Sequence, residues 1–347
     1  MALMQKNNKQ IILFTYGAIG DFLMLLSACE ALHTTAPERP ILVLTTRSTK
    51  ILTELAERYP YVVVRNAKKS ATLLRLFKTS FRRTSVLLPP TFGTAPPHFK
   101  ILGWLVSRMP GSTFIGFQDK GATWMFTTTL PYDTSIPYYE TLTGAVQRIE
   151  PRLVTSVPHF SFTPEPNVLD QYQLTKGAYI VVHPFASNEK RGLPPARWEE
   201  LFMHLAKRFT PDQILISGSG ADLDEAVRLA RTHATVIAGK VTLHELATLI
   251  NASALFIGVD TGITHLACML HARSVVLGNQ SNPSWLPYYN ERARILFDTA
   301  SCTHARGDKS GDCTVMVDGH PYFKCLYNVP AKRITDAIDE LLLNTSH

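Results

Sequence analysis

No apolar run in this sequence approaches the roughly 18–20 residues that a membrane-crossing helix needs. The longest candidates, residues 11–16 and 22–26, are separated by Gly17, Gly20 and Asp21, so the chain is expected not to span a bilayer. No secretory leader is expected either: residues 1–10 run directly into an apolar segment that ends at Gly20 and Asp21. The N-terminus therefore reads as mature and cytoplasmic.

Cysteine is scarce, with five residues in 347, too few and too scattered for a disulfide framework. Cys29 and Cys268 fall inside apolar helical patterns and read as buried thiols. Cys302, Cys313 and Cys325 lie close in sequence to His304 and His320, yet none has the C-x2-C spacing of a strong zinc signature; no metal is expected. Acidic residues are absent between Glu57 and Asp119, where Arg58, Arg65, Lys68, Lys69, Arg75, Lys78, Arg82, Arg83, Lys100 and Arg108 all fall. Leu73, Leu74, Leu76, Phe77 and Phe81 recur at helical spacing among these cations, the pattern of a basic amphipathic helix. Such a surface suits an anionic lipid headgroup or a phosphorylated acceptor, and equally a plain solvated helix face. No basic-aromatic motif of a nucleic-acid-binding module accompanies it.

The length exceeds what one hydrophobic core usually serves, so two domains are expected. Short apolar strands alternate with helices over residues 11–88 and again over 179–277, the pattern of parallel sheets covered on both faces. The fold class is therefore α/β, with two Rossmann-like doubly wound domains at 1–162 and 177–347. A linker is expected at 163–176, where Pro164 and Pro166 precede a stretch without an apolar run. Ligands of such sheets bind beyond the carboxyl ends of the strands, which makes an interdomain cleft the expected site.

Three segments carry chemistry. Tyr16-Gly17-Ala18-Ile19-Gly20-Asp21 follows a strand and opens a helix; it lacks the G-x-G-x-x-G spacing of a dinucleotide site. Asp21 there either complements the helix dipole or acts as a general base on an acceptor hydroxyl. His183-Pro184-Phe185-Ala186-Ser187-Asn188-Glu189-Lys190-Arg191 ends a strand in a loop with two adjacent cations that could hold a diphosphate. Trp198 beyond it reads as core. Gly258-Val259-Asp260-Thr261-Gly262-Ile263-Thr264-His265 joins a buried strand to a helix through a small-residue turn, the makings of an anion site. Ser217 and Gly218 end another strand and are a further nucleotide-loop candidate, while Asp222-Leu223-Asp224 reads as cap and dipole chemistry and not as a D-x-D metal motif.

Taken together and in this order, the segments resemble the lipopolysaccharide heptosyltransferases, glycosyltransferase family 9 of GT-B architecture. The resemblance spans nearly the whole chain and rests on Gly20-Asp21 with its apolar helix, on H-P-x-A-S-x-x-K-R with W-x-x-L at 198–201, and on G-V-D-T-G-x-T-H-L-A at 258–267. It implies an inverting, metal-independent transfer of heptose from ADP-heptose, with no cofactor, to the inner core of an anionic lipid A acceptor. It implies Asp21 as catalytic base and Lys190 as the donor-phosphate lysine. Asp260 would hold sugar hydroxyls, and Thr261, Gly262, Ile263 and Thr264 the diphosphate, with Ser187, Arg191, Ser217, Gly218 and His265 completing the donor side. Gly20, Lys68, Lys69, Arg75 and Arg82 are the acceptor-side candidates, in an enzyme peripheral to the cytoplasmic face of a Gram-negative inner membrane. A sugar-nucleotide 2-epimerase, a heptosyltransferase with a protein acceptor and a non-catalytic nucleotide-sugar binder are the alternatives.

Overall fold

The computed structural model describes residues 10–15, 18–45, 50–66, 84–89, 104–105, 108–118, 123–154, 157–279, 283–302 and 313–343. The chain forms two compact units, Met1–Pro158 and His159–His347.

In the first unit the strands are β1 (Gln10–Thr15), β2 (Ile41–Thr45), β3 (Val62–Asn66), β4 (Thr84–Leu87), β5 (Thr113–Phe117) and β6 (Thr128–Leu130). They form one parallel sheet in the order β3-β2-β1-β4-β5-β6. β1 and β2 are continuous apolar runs because both their faces are covered: Ile11, Leu13, Val43 and Leu44 have no accessible surface. Helices α1 (Ile19–Thr35), α2 (Lys50–Ala56) and α3 (Tyr138–Ile149) pack beside them. On α3 the buried positions Tyr138, Leu142, Ala145, Val146 and Ile149 repeat at helical spacing. Its end is tied down by Arg39, whose buried guanidinium donates to the Ile149 carbonyl at 3.2 Å, Ser85 Oγ at 3.2 Å and Glu150 Oε2 at 3.5 Å.

In the second unit the strands are β7 (Ile180–His183), β8 (Ile214–Ile216), β9 (Thr235–Val236), β10 (Leu255–Val259), β11 (Ser274–Leu277) and β12 (Ala293–Leu296). Their order, β12-β11-β10-β7-β8-β9, is all parallel and has the same topology as the first sheet. Helices α4 (Val168–Gln171), α5 (Pro195–Leu205), α6 (Leu223–Ala230), α7 (Leu243–Ala252) and α8 (Gly262–Met269) accompany it, followed by the hairpin β13 (Thr314–Val317) and β14 (His320–Phe323) and by α9 (Lys324–Tyr327) and α10 (Ala331–Leu343). The strand order of each sheet reverses once, between β1 and β4 and between β7 and β10, and that switch point is where ligands of doubly wound sheets bind.

The two doubly wound sheets agree with the sequence reading, and two details differ. Residues 163–176 are not a linker: Val168 is buried in the second core, with Leu169, Tyr172 and Leu174 packed against it. β5, β6, β12 and the β13–β14 hairpin had no clear signal. The basic helix expected near residues 72–81 lies outside the described residues, as do Lys68, Lys69, Arg75 and Arg82. Trp198 is a core residue as expected, 1 % exposed among Leu201, Phe202 and Ile338. Trp198→Ala is expected to cost about 3–5 kcal/mol, read from urea unfolding of the second unit by a probe specific to it.

Candidate functional site

At the switch point of the second sheet, β7 and β10 lie side by side with His183 in register with Gly258. Beyond that pair the two strands feed different segments, residues 184–194 and 260–265, and the crevice between these segments is the candidate site. Gly258 is required here, because a Cβ would come within 2.8 Å of Thr264 Oγ1 and 2.7 Å of the Phe256 ring.

The β10 side is a capped helix start. Thr261 is the N-cap of α8, its hydroxyl accepting from the Thr264 amide at 3.4 Å, while Thr264 Oγ1 donates to the Val259 carbonyl. The amides of Gly262 and Ile263 have no acceptor within the helix, so they and the helix dipole favour an anion. Asp260 precedes the cap and is 9 % exposed. His265, in the first turn, is buried; its Nδ1 lies 3.1 Å from the Tyr289 hydroxyl. Burial lowers its pKa, Arg191 adds to that and Asp260 opposes it, so the imidazole is kept toward its neutral form.

The β7 side supplies cations. Asn188 caps a short 3-10 turn, Glu189–Arg191, by accepting from the Lys190 amide at 3.2 Å. β14 packs over this turn through a close His320–Glu189 contact. Arg191 reaches across the crevice, its Nη1 3.6 Å from Asp260 Oδ2, and its Nε is buried without a hydrogen-bond partner. An arginine and a half-buried lysine beside a helix start form a donor set for a diphosphate. Ser187, on the same loop, is exposed.

Ser217, read as a nucleotide-loop candidate, lies just past the end of β8. It is fully buried, and its hydroxyl donates to the Val182 carbonyl at 3.2 Å. The same oxygen, 3.1 Å from His183 Nδ1, is left to accept from the ring. Ser217 thus sets the orientation of His183, whose pKa burial lowers to about 4. Gly218 lies where a Cβ would approach the Phe185 ring to 2.8 Å, so it serves close packing under the cationic loop. Asp222 closes a capping box on the short turn that precedes α6, accepting from the Ser219 amide at 2.7 Å and hydroxyl at 2.6 Å.

In the first unit, Gly20 and Asp21 occupy the first turn of α1, just past the carboxyl end of β1 at that sheet's own switch point. Gly20 is buried and Asp21 half-buried. Cys29 and Cys268 are buried thiols as expected, burial pushing Cys268 up to about 12. Cys302, Cys313 and Cys325 are buried together beside Phe323, and among the described residues no group of three His, Cys, Asp or Glu side chains has metal-binding geometry. No described helix is long and apolar enough to cross a membrane.

Two residues of the site had not been anticipated. Asn279 donates through Nδ2 to Asp260 Oδ2 at 2.9 Å, and Tyr289 pairs with His265. Asn279 follows the carboxyl end of β11 as Asp260 follows that of β10, and the pairing of those two strands brings the side chains together.

No curated protein matches the chain. Among solved structures, the ADP-heptose LPS heptosyltransferase II of E. coli is 18% identical with a TM-score of 0.68, covering 97% of this chain and 100% of that one. A family 9 glycosyl transferase from Veillonella parvula is 17% identical at TM-score 0.72, with 99% of each chain covered. The E. coli heptosyltransferase WaaC, solved with ADP, is 14% identical at TM-score 0.63, covering 96% of this chain and 99% of that one. These likenesses establish a GT-B-like α/β fold. The model of glycosyltransferase family 9 (heptosyltransferase) matches residues 104–312, more than half of the sequence, and the chain belongs to that family.

Proposed function

We propose that this glycosyltransferase moves heptose from ADP-L-glycero-D-manno-heptose to the inner core of lipopolysaccharide or lipooligosaccharide, with inversion and without a metal ion. The observation that carries the reading is the meeting, at one switch point, of a cationic loop, a carboxylate and a capped helix start: Lys190 and Arg191, Asp260, and Thr261–Thr264. A nucleoside-diphosphate sugar needs each of these, cations and amides for the diphosphate and a carboxylate for hydroxyls. The solved relatives named for ADP-heptose chemistry support the same donor.

The second unit holds the donor, and the first supplies the base and receives the acceptor. Asp21 takes the proton of an acceptor hydroxyl as that oxygen bonds to the anomeric carbon. The bond from that carbon to the phosphate oxygen breaks in the same displacement, and ADP leaves with the electron pair. Lys190 and the amides at the start of α8 take up the charge that gathers on the leaving diphosphate. The acid-free stretch between Glu57 and Asp119 supports an anionic acceptor and a peripheral seat on the cytoplasmic face of the inner membrane.

The test is to incubate the purified protein with ADP-heptose and a core-truncated lipopolysaccharide. ADP release is followed and the lipid product weighed by mass spectrometry; a product heavier by one heptosyl unit is expected. Epimerised sugar formed from the nucleotide-sugar alone would replace this reading with an epimerase. A donor that binds but is transferred only to protein would change the acceptor class.

A further inference from the structure

Asp260 is the carboxylate of the donor site, and the residues around it constrain how it can be used. Its amide donates to the Leu277 carbonyl at 3.2 Å, which sets the end of β10 level with the end of β11. Two residues beyond Leu277 comes Asn279, 1 % exposed, whose Nδ2 lies 2.9 Å from Asp260 Oδ2. The connecting residue runs tight against its neighbours: a Cβ on Gly278 would sit 3.0 Å from Leu286 Cδ2 and 3.3 Å from Ile295 Cγ2. Arg191 reaches the same oxygen from the cationic loop, at the longer distance of 3.6 Å and half-exposed.

Both protein donors therefore converge on Oδ2. A carboxylate has about four acceptor positions on two oxygens; with one oxygen held from two sides, rotation of the group is fixed and Oδ1 remains to accept from a ligand. We propose that Asn279 is a positioning residue: through its hydrogen bond to Oδ2 it holds the Asp260 carboxylate in the rotamer whose Oδ1 accepts from a sugar hydroxyl of the donor. This rests on the reading of Asp260 as the group that holds the sugar. Asn279 does so better than Arg191 because its bond is short and buried, whereas water competes for the guanidinium. Arg191 is left to serve the diphosphate as well as Asp260.

The choice of an amide follows from the same geometry. A carboxylate at 279 would face Asp260 across one hydrogen-bond length, and two carboxylates at that distance share a proton, with one pKa strongly raised. Among the described residues, Arg191, from the loop after β7, and His265, from α8, are ionisable groups that interact with Asp260. The wild-type protein, titrated in parallel, accounts for their contribution at each pH.

The experiment measures binding of ADP and of ADP-heptose by calorimetry to wild type, Asn279→Ala and Asn279→Asp, at pH 8 and pH 5.5. For Asn279→Ala, affinity for ADP should stay within about two-fold, while the added affinity for ADP-heptose falls about ten- to hundred-fold, the scale of a hydrogen bond to a charged group. Asn279→Asp should show the same loss at pH 8 and regain most of it at pH 5.5, where the shared proton restores a donor to Asp260. Asn279→Ala binding ADP-heptose within two-fold of wild type overturns the inference, as does an Asn279→Asp variant with no recovery relative to wild type at low pH. Equal losses for ADP and ADP-heptose would mark Asn279 as merely structural. A wild type that binds ADP-heptose no better than ADP overturns the sugar role of Asp260, and the inference falls with it. The isosteric aspartate keeps the test alive should the alanine variant fail to fold.

Discussion

Asp21→Asn is expected to lower kcat about a hundred- to ten-thousand-fold, the span that a well-placed general base contributes. The substitution keeps the size and shape of the side chain, so the first turn of α1, which carries Asp21 next to buried Gly20 and Phe22, keeps its packing. What it removes is a negative charge at a helix start, worth about 0.3–1 kcal/mol of stability, and the capacity to accept a proton. These losses separate in measurement. A structural role predicts a slightly lower melting temperature and near-normal turnover, whereas a base predicts the reverse. ADP affinity serves as the internal control, because the diphosphate groups argued above, Lys190, Arg191 and the start of α8, all belong to the second unit. A variant retaining more than a tenth of wild-type turnover would remove Asp21 from the mechanism.

The elements that could be read in advance are those whose determinants are local. β1, β2, β7, β10 and β11 are short apolar runs because both faces of each are covered, and burial on both sides writes itself into sequence as unbroken Val, Ile and Leu. Two of the strands without a clear signal sit where that pressure is lower. β6 is a three-residue edge strand, half-exposed throughout, and β12, also an edge, carries Arg294, which pairs with Glu340 at the surface. β5 has Gly116 in its middle, where the Phe126 ring occupies the space a Cβ would need. Residues 163–176 look like a linker because their apolar side chains follow no period, yet Val168, Tyr172 and Leu174 anchor them to the second core. A single α4 turn does not create a periodic signal.

The site divides in the same way. The run from Gly258 to His265 was legible because a strand, a small-residue turn and a helix start are contiguous and their chemistry needs no distant partner. Ser217 and Asn279 were not, because their roles depend on strand order. Ser217 ends β8 beside β7 and is drawn into a bond with His183; Asn279 ends β11 beside β10 and meets Asp260. Nothing in the linear spacing of residues 183, 217, 260 and 279 says which strands will be neighbours. The topology supplies that.

Lys190→Met is expected to lower kcat about a hundred- to a thousand-fold, the effect of deleting one group that stabilises a developing negative charge, with the smaller change in KM. The backbone of this loop has supports other than the lysine side chain: the Lys190 amide is held by Asn188 Oδ1, and the turn is braced by the Glu189–His320 contact. Substitution should therefore leave Arg191 on Asp260 and the loop in place. On the proposed reading the diphosphate of the bound donor also has Arg191 and the α8 amides, and a half-exposed ammonium adds only a screened attraction. As the bond to the anomeric carbon breaks, charge grows on the phosphate oxygen and Lys190 gains importance. A lysine that merely anchors the donor would give the opposite split, a raised KM with kcat unchanged. Steady-state kinetics with varied ADP-heptose separates the two. The variant should keep a residual rate, since Thr261 still caps α8 and its first amides still face the leaving group. Loss of all turnover together with loss of ADP binding would instead show that the loop had collapsed, and an unchanged kcat would take Lys190 out of the transition state.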